Sequence, residues 1–196
     1  SVYAGSQEMF ISANTSFLFM PGLTAAAMDI LVAFGSSDQK ALYLEKMMTG
    51  EWSGTMCLTE AGAGTAVPDL RSTATPIEGR EGYYHIKGQK IFISAGDHDL
   101  TDNIVHLVLA RLPDAPEGTR GISLFLVPKF MVNDDGSLGD RNDVFCASLE
   151  HKLGIHGSPT CVMIYGDGKF GDEPGAVGYL IGEENKGLAC MFTMMN

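Results

Sequence analysis

Around Glu51 the hydrophobic pattern changes its period, which limits the chain to a helical stretch followed by a body of strands. Before the switch, Ala25, Ala26, Ala27, Met28, Ile30, Leu31, Val32 and Phe34 make a helical run that is apolar almost all round and stops at Gly35. A helix of that kind needs cover on more than one side. Ser36 and Gln39 have the spacing of a capping box, Ala41, Leu42, Leu44, Met47 and Met48 follow with helical periodicity, and Gly50 suits a left-handed stop. Residues 1–50 are therefore expected to be helical and too few to enclose a core alone. After the switch the alternation predicts strands at 52–58, 71–75, 83–86, 91–94, 104–111, 122–127, 145–149, 160–165 and 177–181. Residues 84–93 have the look of a hairpin turning at Gly88. Many short strands without intervening helices predict a mainly β fold, an antiparallel barrel or sandwich, and disfavour a Rossmann sheet. Residues 187–195 resume an apolar helical pattern.

Charge and cysteine usage narrow the function classes. Lys and Arg number 13 against 24 Asp and Glu, a net charge of −11, which opposes phosphate tracking and predicts no nucleic-acid partner. A hydrophobic share of 45% with 19% charged residues excludes a disordered chain. Cys57, Cys146, Cys161 and Cys190 form no C-x-x-C pair, so a zinc ribbon is excluded and reduced thiols in a cytoplasmic setting are expected. No uninterrupted apolar run reaches about 18 residues, so no membrane span is expected. There is no initial Met and no signal-peptide pattern at the start, and the chain is read as a piece of something longer. His85, His98, His106, His151 and His156 form no metal-binding motif, and no metal is expected. The acidic stretch 133–140 does not have calcium-loop spacing and is expected to be an exposed turn.

Two places carry chemistry. Thr59-Glu60-Ala61-Gly62-Ala63-Gly64-Thr65 follows a strand, and its small residues would let a ligand approach the backbone while consecutive amides form an anion nest. The same residues also describe an ordinary glycine turn, and the pattern alone leaves both open. In Lys90-Ile91-Phe92-Ile93-Ser94-Ala95-Gly96, strict alternation would put the Phe92 ring and the Ser94 hydroxyl on one face, suited to a heterocycle or to a half-buried barrel edge.

Taken in order, seven blocks resemble the acyl-CoA dehydrogenase family. They are Phe34–Lys40 with Tyr43-Leu44, Gly50-Glu51-Trp52, Cys57–Thr65, Ile86–Gly96, Gly121–Pro128, Lys152–Thr160 and Ile181–Gly187. The resemblance implies that residues 1–50 end an α-helical N-terminal domain, 51–185 are a β-barrel flavin-binding middle domain and 186–196 begin a C-terminal helix bundle. It implies FAD as cofactor, held by Met56, Cys57, Leu58, Thr59, Gly62, Gly64 and Thr65 in one segment and Phe92, Ile93 and Ser94 in a second. By the same resemblance Thr59 would bond the pyrimidine side of the flavin and Ser94 its N5/O4 edge. Thr65 would sit at the pyrophosphate and beside the substrate thioester. Phe92 stands where the family usually has tryptophan, and Ala61 where proline is common. The implied reaction is α,β-dehydrogenation of an acyl-CoA to the trans-2-enoyl-CoA, with hydride passing to flavin N5. The implied base is a glutamate on the C-terminal bundle, so no catalytic residue is expected in this chain, Glu60 is taken as structural and the isolated piece is expected to be inactive. Electron-transfer flavoprotein is the implied acceptor and a homo-oligomer the implied assembly. The acidic insert at 129–143 is similar to the larger bacterial members, of methylthiopropanoyl-CoA and long-chain type. Acyl-CoA oxidases, flavin monooxygenases and a non-catalytic DNA-associated relative share the fold and remain the alternatives.

Overall fold

Asn14 divides the first helix in the computed structural model, which describes residues 2–172 and 174–193. Helix α1 (Val2–Phe34) is non-helical at that residue, with φ −158° and ψ 88°. The Asn14 side chain accepts from the Phe17 amide at 3.0 Å and so caps the segment that follows. Helix α2 (Ser37–Met48) begins with the expected capping box: Ser36 Oγ accepts from the Gln39 amide and Gln39 Oε1 from the Ser36 amide. By length and composition alone, Ala4–Phe34 within α1 is long and apolar enough to cross a membrane, a test that a helix packed in a protein core passes equally, so it does not decide the expectation of no membrane span. The Ser, Thr and Asn residues that interrupt its apolar run do not lower its average hydropathy enough to fail that test. One face of α1, through Ala27, Ile30 and Leu31, belongs to the core shared with the strands.

Among the described residues ten strands follow: β1 (Trp52–Cys57), β2 (Thr73–Pro76), β3 (Tyr83–Ser94), β4 (Asn103–Arg111), β5 (Ile122–Pro128), β6 (Phe130–Val132), β7 (Leu138–Arg141), β8 (Val144–Leu149), β9 (Thr160–Tyr165) and β10 (Ala176–Ile181). Antiparallel pairing runs β4–β5–β10–β3–β2, and a β2–β4 bridge at Thr73 and Arg111 closes the ring into a barrel. β1 adds to β4, and β9 and β8 extend from β3. The mainly β, barrel-like expectation holds, with one correction: β1 and β2 both lie parallel to β4. The chain passes through β2 and β3 between β1 and β4, so β4 returns in the direction of β1.

β3 brings a second correction. The hairpin expected at 84–93 is one continuous strand, pairing through Tyr83–Lys87 with β2 and β10 and through Gly88–Ser94 with β9. Gly88 has φ +151°, and a Cβ there would lie 2.2 Å from Ser72 Oγ. The glycine that looked like a turn is the bend by which β3 leaves the barrel for the β8–β9 sheet.

β4 separates two cores. Val105, Leu107 and Leu109 pack with α1, α2 and Trp52, while Val108 and Ala110 pack inside the barrel with Ile86, Phe125 and Val127. Residues 129–143 form a small β6–β7 hairpin around the turn at Gly136, so the expected turn is present but shorter than read. Helix α3 (Gly187–Thr193) buries Cys190 and Met191. Met194 and Met195 of the expected helix lie outside the described residues.

Candidate functional site

The end of β1 and the end of β3 are stitched together. The Ile91 amide donates to the Thr59 carbonyl at 2.9 Å, and Lys90 Nζ donates to the Leu58 carbonyl at 3.2 Å. Between these bonds the chain makes a tight turn in which the amides and carbonyls of Glu60 and Ala63 bond each other and Gly62 has φ +87°. The segment is thus a glycine turn in its backbone. The run of consecutive free amides is interrupted, because the Ala63 N–H is spent on the Glu60 carbonyl. The amides of Gly64 and Thr65 make no hydrogen bond to another described residue, nor do the hydroxyls of Thr59, Thr65 and Ser94.

Beneath the turn lies a buried ion pair. Lys90 is 0% exposed and its Nζ stands 2.7 Å from Glu60 Oε1, with Glu60 7% exposed. The same carboxylate accepts from the Arg71 amide at 2.7 Å and the Ser72 amide at 3.0 Å. Burial opposes the charge on Glu60, but Lys90 and these donors hold its pKa below the usual carboxylate range. Desolvation pulls Lys90 below the usual ammonium range, against the pull of Glu60. All the acceptor capacity that Glu60 shows is committed to the fold, in keeping with its structural reading.

The site residues divide by where they face. Met56 and Leu58 are half-buried at the end of β1. Cys57 is fully buried, its sulfur 3.1 Å from the Tyr165 hydroxyl and 3.3 Å from the Thr55 hydroxyl. Burial raises the Cys57 thiol pKa, so it stays protonated. Ile93 is also buried. Cys57 and Ile93 can therefore meet a surface ligand only through their main chain. Gly62, Gly64 and Thr65 are exposed, and Thr59 and Ser94 half-exposed. Phe92 is 58% exposed at φ +59°, in a bulge where Ile91 and Phe92 stand between the paired positions Lys90 and Ile93. The strict alternation that placed Phe92 and Ser94 on one face does not run through this bulge. A large aromatic held outward in left-handed backbone is strain of the kind that collects at functional sites.

Sequence reasoning passed over Lys90 as part of the site. Its signal was a lysine at an inward position of a period-two strand, where only a buried counter-charge makes it tolerable. It also passed over the network behind Cys57, where His106 Nδ1 lies 2.8 Å from the Thr55 hydroxyl. Among the described residues there is no group of three or more His, Cys, Asp or Glu that could hold a metal.

The family model for the acyl-CoA dehydrogenase middle domain matches residues 55–167, which include both stitched segments. A 3-methylmercaptopropionyl-CoA dehydrogenase of Ruegeria pomeroyi is 53% identical over 99% of this chain. A butyryl-CoA dehydrogenase of Syntrophomonas wolfei is 46% identical over 96%. The chain spans 31% of the length of each of these relatives. Among solved structures, an acyl-CoA dehydrogenase of Bacillus anthracis complexed with FAD superposes with TM-score 0.72 at 26% identity, covering 96% of this chain and 28% of that one.

Proposed function

The chain belongs to the acyl-CoA dehydrogenase family, and on that premise we propose that residues 51–185 are the flavin-binding middle domain of an enzyme that removes hydrogens from the α- and β-carbons of an acyl-CoA thioester. One observation carries this reading: the Ile91–Thr59 bond sets the glycine turn beside the Phe92–Ser94 end of β3. Together they offer uncommitted hydroxyls, free amides and an outward aromatic on neighbouring backbone. These are the groups that an isoalloxazine edge and a pyrophosphate require, and a Cβ-free Gly62 with open space around it leaves room for both. The residues fit FAD. A relative of known structure that shares the fold is complexed with FAD, which supports the same choice.

FAD, when bound, supplies the two-electron acceptor for hydride from the β-carbon while the α-proton passes to a base outside this chain. The chain's own part is to bind and orient. Thr59 and Ser94 are the donors to the ring edge, where fixed donors stabilise charge that develops during reduction. The amides and hydroxyl at Gly64-Thr65 hold the pyrophosphate, and Thr65 is the one residue of this chain assigned to the substrate. Phe92 covers the ring with apolar surface. Cys57, Leu58 and Ile93 serve through main chain, and Met56 lines the approach. The proposal extends, by the family resemblance alone, to electron-transfer flavoprotein as acceptor, a homo-oligomeric assembly and a cytoplasmic setting.

FAD titration of the flavin-stripped full-length protein tests this. Thr59→Val and Ser94→Ala should each weaken FAD binding roughly tenfold, the loss of one hydrogen bond to a polar edge. Variants that bind FAD like the unmodified protein would remove Thr59 and Ser94 from the site. Residues 1–196 alone should show no acyl-CoA turnover.

A further inference from the structure

We propose that the Glu60–Lys90 ion pair is the positioning clamp of the cofactor site, fixing where the glycine turn stands relative to the exposed end of β3. The inference rests on the functional reading above and adds to it two residues that touch neither cofactor nor substrate. Glu60 closes its own loop, because its carboxylate takes the Arg71 and Ser72 amides from the far end of the segment that begins at Glu60. Lys90 then ties that closed loop to β3 through Glu60 Oε1 and the Leu58 carbonyl. Three stretches of chain meet at one ammonium–carboxylate contact: 58–60, 71–72 and β3 just before the bulge at Phe92. Thr59 lies between the two acceptors of Lys90, and Phe92 lies two residues beyond it. Any shift in the pair therefore moves the proposed ring donor and the outward aromatic together.

The energetics favour position over stability as the role of the pair. Two charges buried this deeply cost as much to desolvate as their attraction returns, and an apolar pair of similar volume would hold the fold as well. What an apolar pair lacks is direction. Four hydrogen bonds with fixed angles define a place for the turn, whereas methyl and methylene contacts leave it free to slide.

The test uses the full-length protein in flavin-free form with two variants. Glu60→Asp keeps the charge and shortens the reach by one methylene. The double variant Glu60→Gln with Lys90→Met removes both charges. We expect the double variant to unfold at nearly the same temperature as the unmodified protein. Exchange of the hydrogen-bonded amides at positions 60, 63 and 91 should quicken roughly tenfold in both variants, with β4 and β5 unchanged, and FAD should dissociate roughly tenfold more readily. Unchanged FAD affinity in either variant overturns the clamp, whatever the exchange shows. If the unmodified protein fails to bind FAD, the functional reading is lost, and unchanged exchange at positions 60, 63 and 91 would then overturn the clamp as well.

Discussion

His106 lies fully buried in β4, its Nδ1 2.8 Å from the Thr55 hydroxyl and its Nε2 without a hydrogen-bond partner among the described residues. Burial pushes its pKa down to about 3; Asp97 opposes the shift, while Arg141, Lys129 and His98 add to it. An ordinary histidine in the unfolded chain titrates near 6.5. Between those values the unfolded chain holds a proton that the folded chain refuses. Stability from this group is therefore full above pH 6.5 and is lost progressively as pH falls toward 3, by up to about 1.4 kcal/mol per pH unit. Urea midpoints at pH 7, 5.5 and 4.5 should fall steeply in the unmodified protein and less steeply in His106→Leu. Equal slopes would remove His106 as the acid-sensitive group. Spacing in the sequence addresses the histidines only as metal ligands. Alternation along β4 does place His106 on the same side as Val108 and Ala110, which line the barrel interior.

At the scale of elements, β3 shows how little a glycine discloses about direction. A two-residue hairpin turn favours glycine for its positive φ, and this bend uses glycine at φ +151° where no side chain fits, so a glycine in the sequence is compatible with either. The bend also needs close approach: a Cβ at Gly88 would meet Ser72 Oγ, Cβ and Cα, all within 3 Å. Gly88→Ala should cost about 1–3 kcal/mol. Adding Ser72→Gly should recover only part of that loss, because the backbone conformation stays strained. Thermal unfolding of the two variants checks this, and an unshifted midpoint for Gly88→Ala would show that β3 bends without needing the glycine. By contrast, the start of α2 was fully legible. Ser36 and Gln39 satisfy each other's amides within one turn, so no distant residue is needed to define the start.

At the scale of the whole molecule, the helical segment and the barrel share a core. Trp52, the sole tryptophan, packs edge-on against Tyr43 of α2 with ring centroids 5.7 Å apart, and Gln39 Nε2 donates to the Leu180 carbonyl of β10 at 2.8 Å. Residues 1–50 should therefore unfold with the barrel rather than ahead of it. Helical circular dichroism and Trp52 fluorescence should give one coincident urea transition, and separated midpoints would make the segment an independent unit. Leu107→Ala, within the shared core, should lower both signals together by about 2–5 kcal/mol.

What the amino-acid sequence determined by itself was local: the switch from helical to alternating period at Glu51, the cap at Ser36, the mainly β body and the ordered blocks by which the family is recognised. Only the tertiary structure decided that β1 lies parallel to β4, that β3 bends instead of turning back, and that Glu60 and Lys90 meet under the glycine turn. Alternation reports which face of a strand is buried, because that depends on the nearest neighbours along the chain. Strand partners, strand direction and the pairing of two buried charges depend on which distant segments pack together. No local period carries that information.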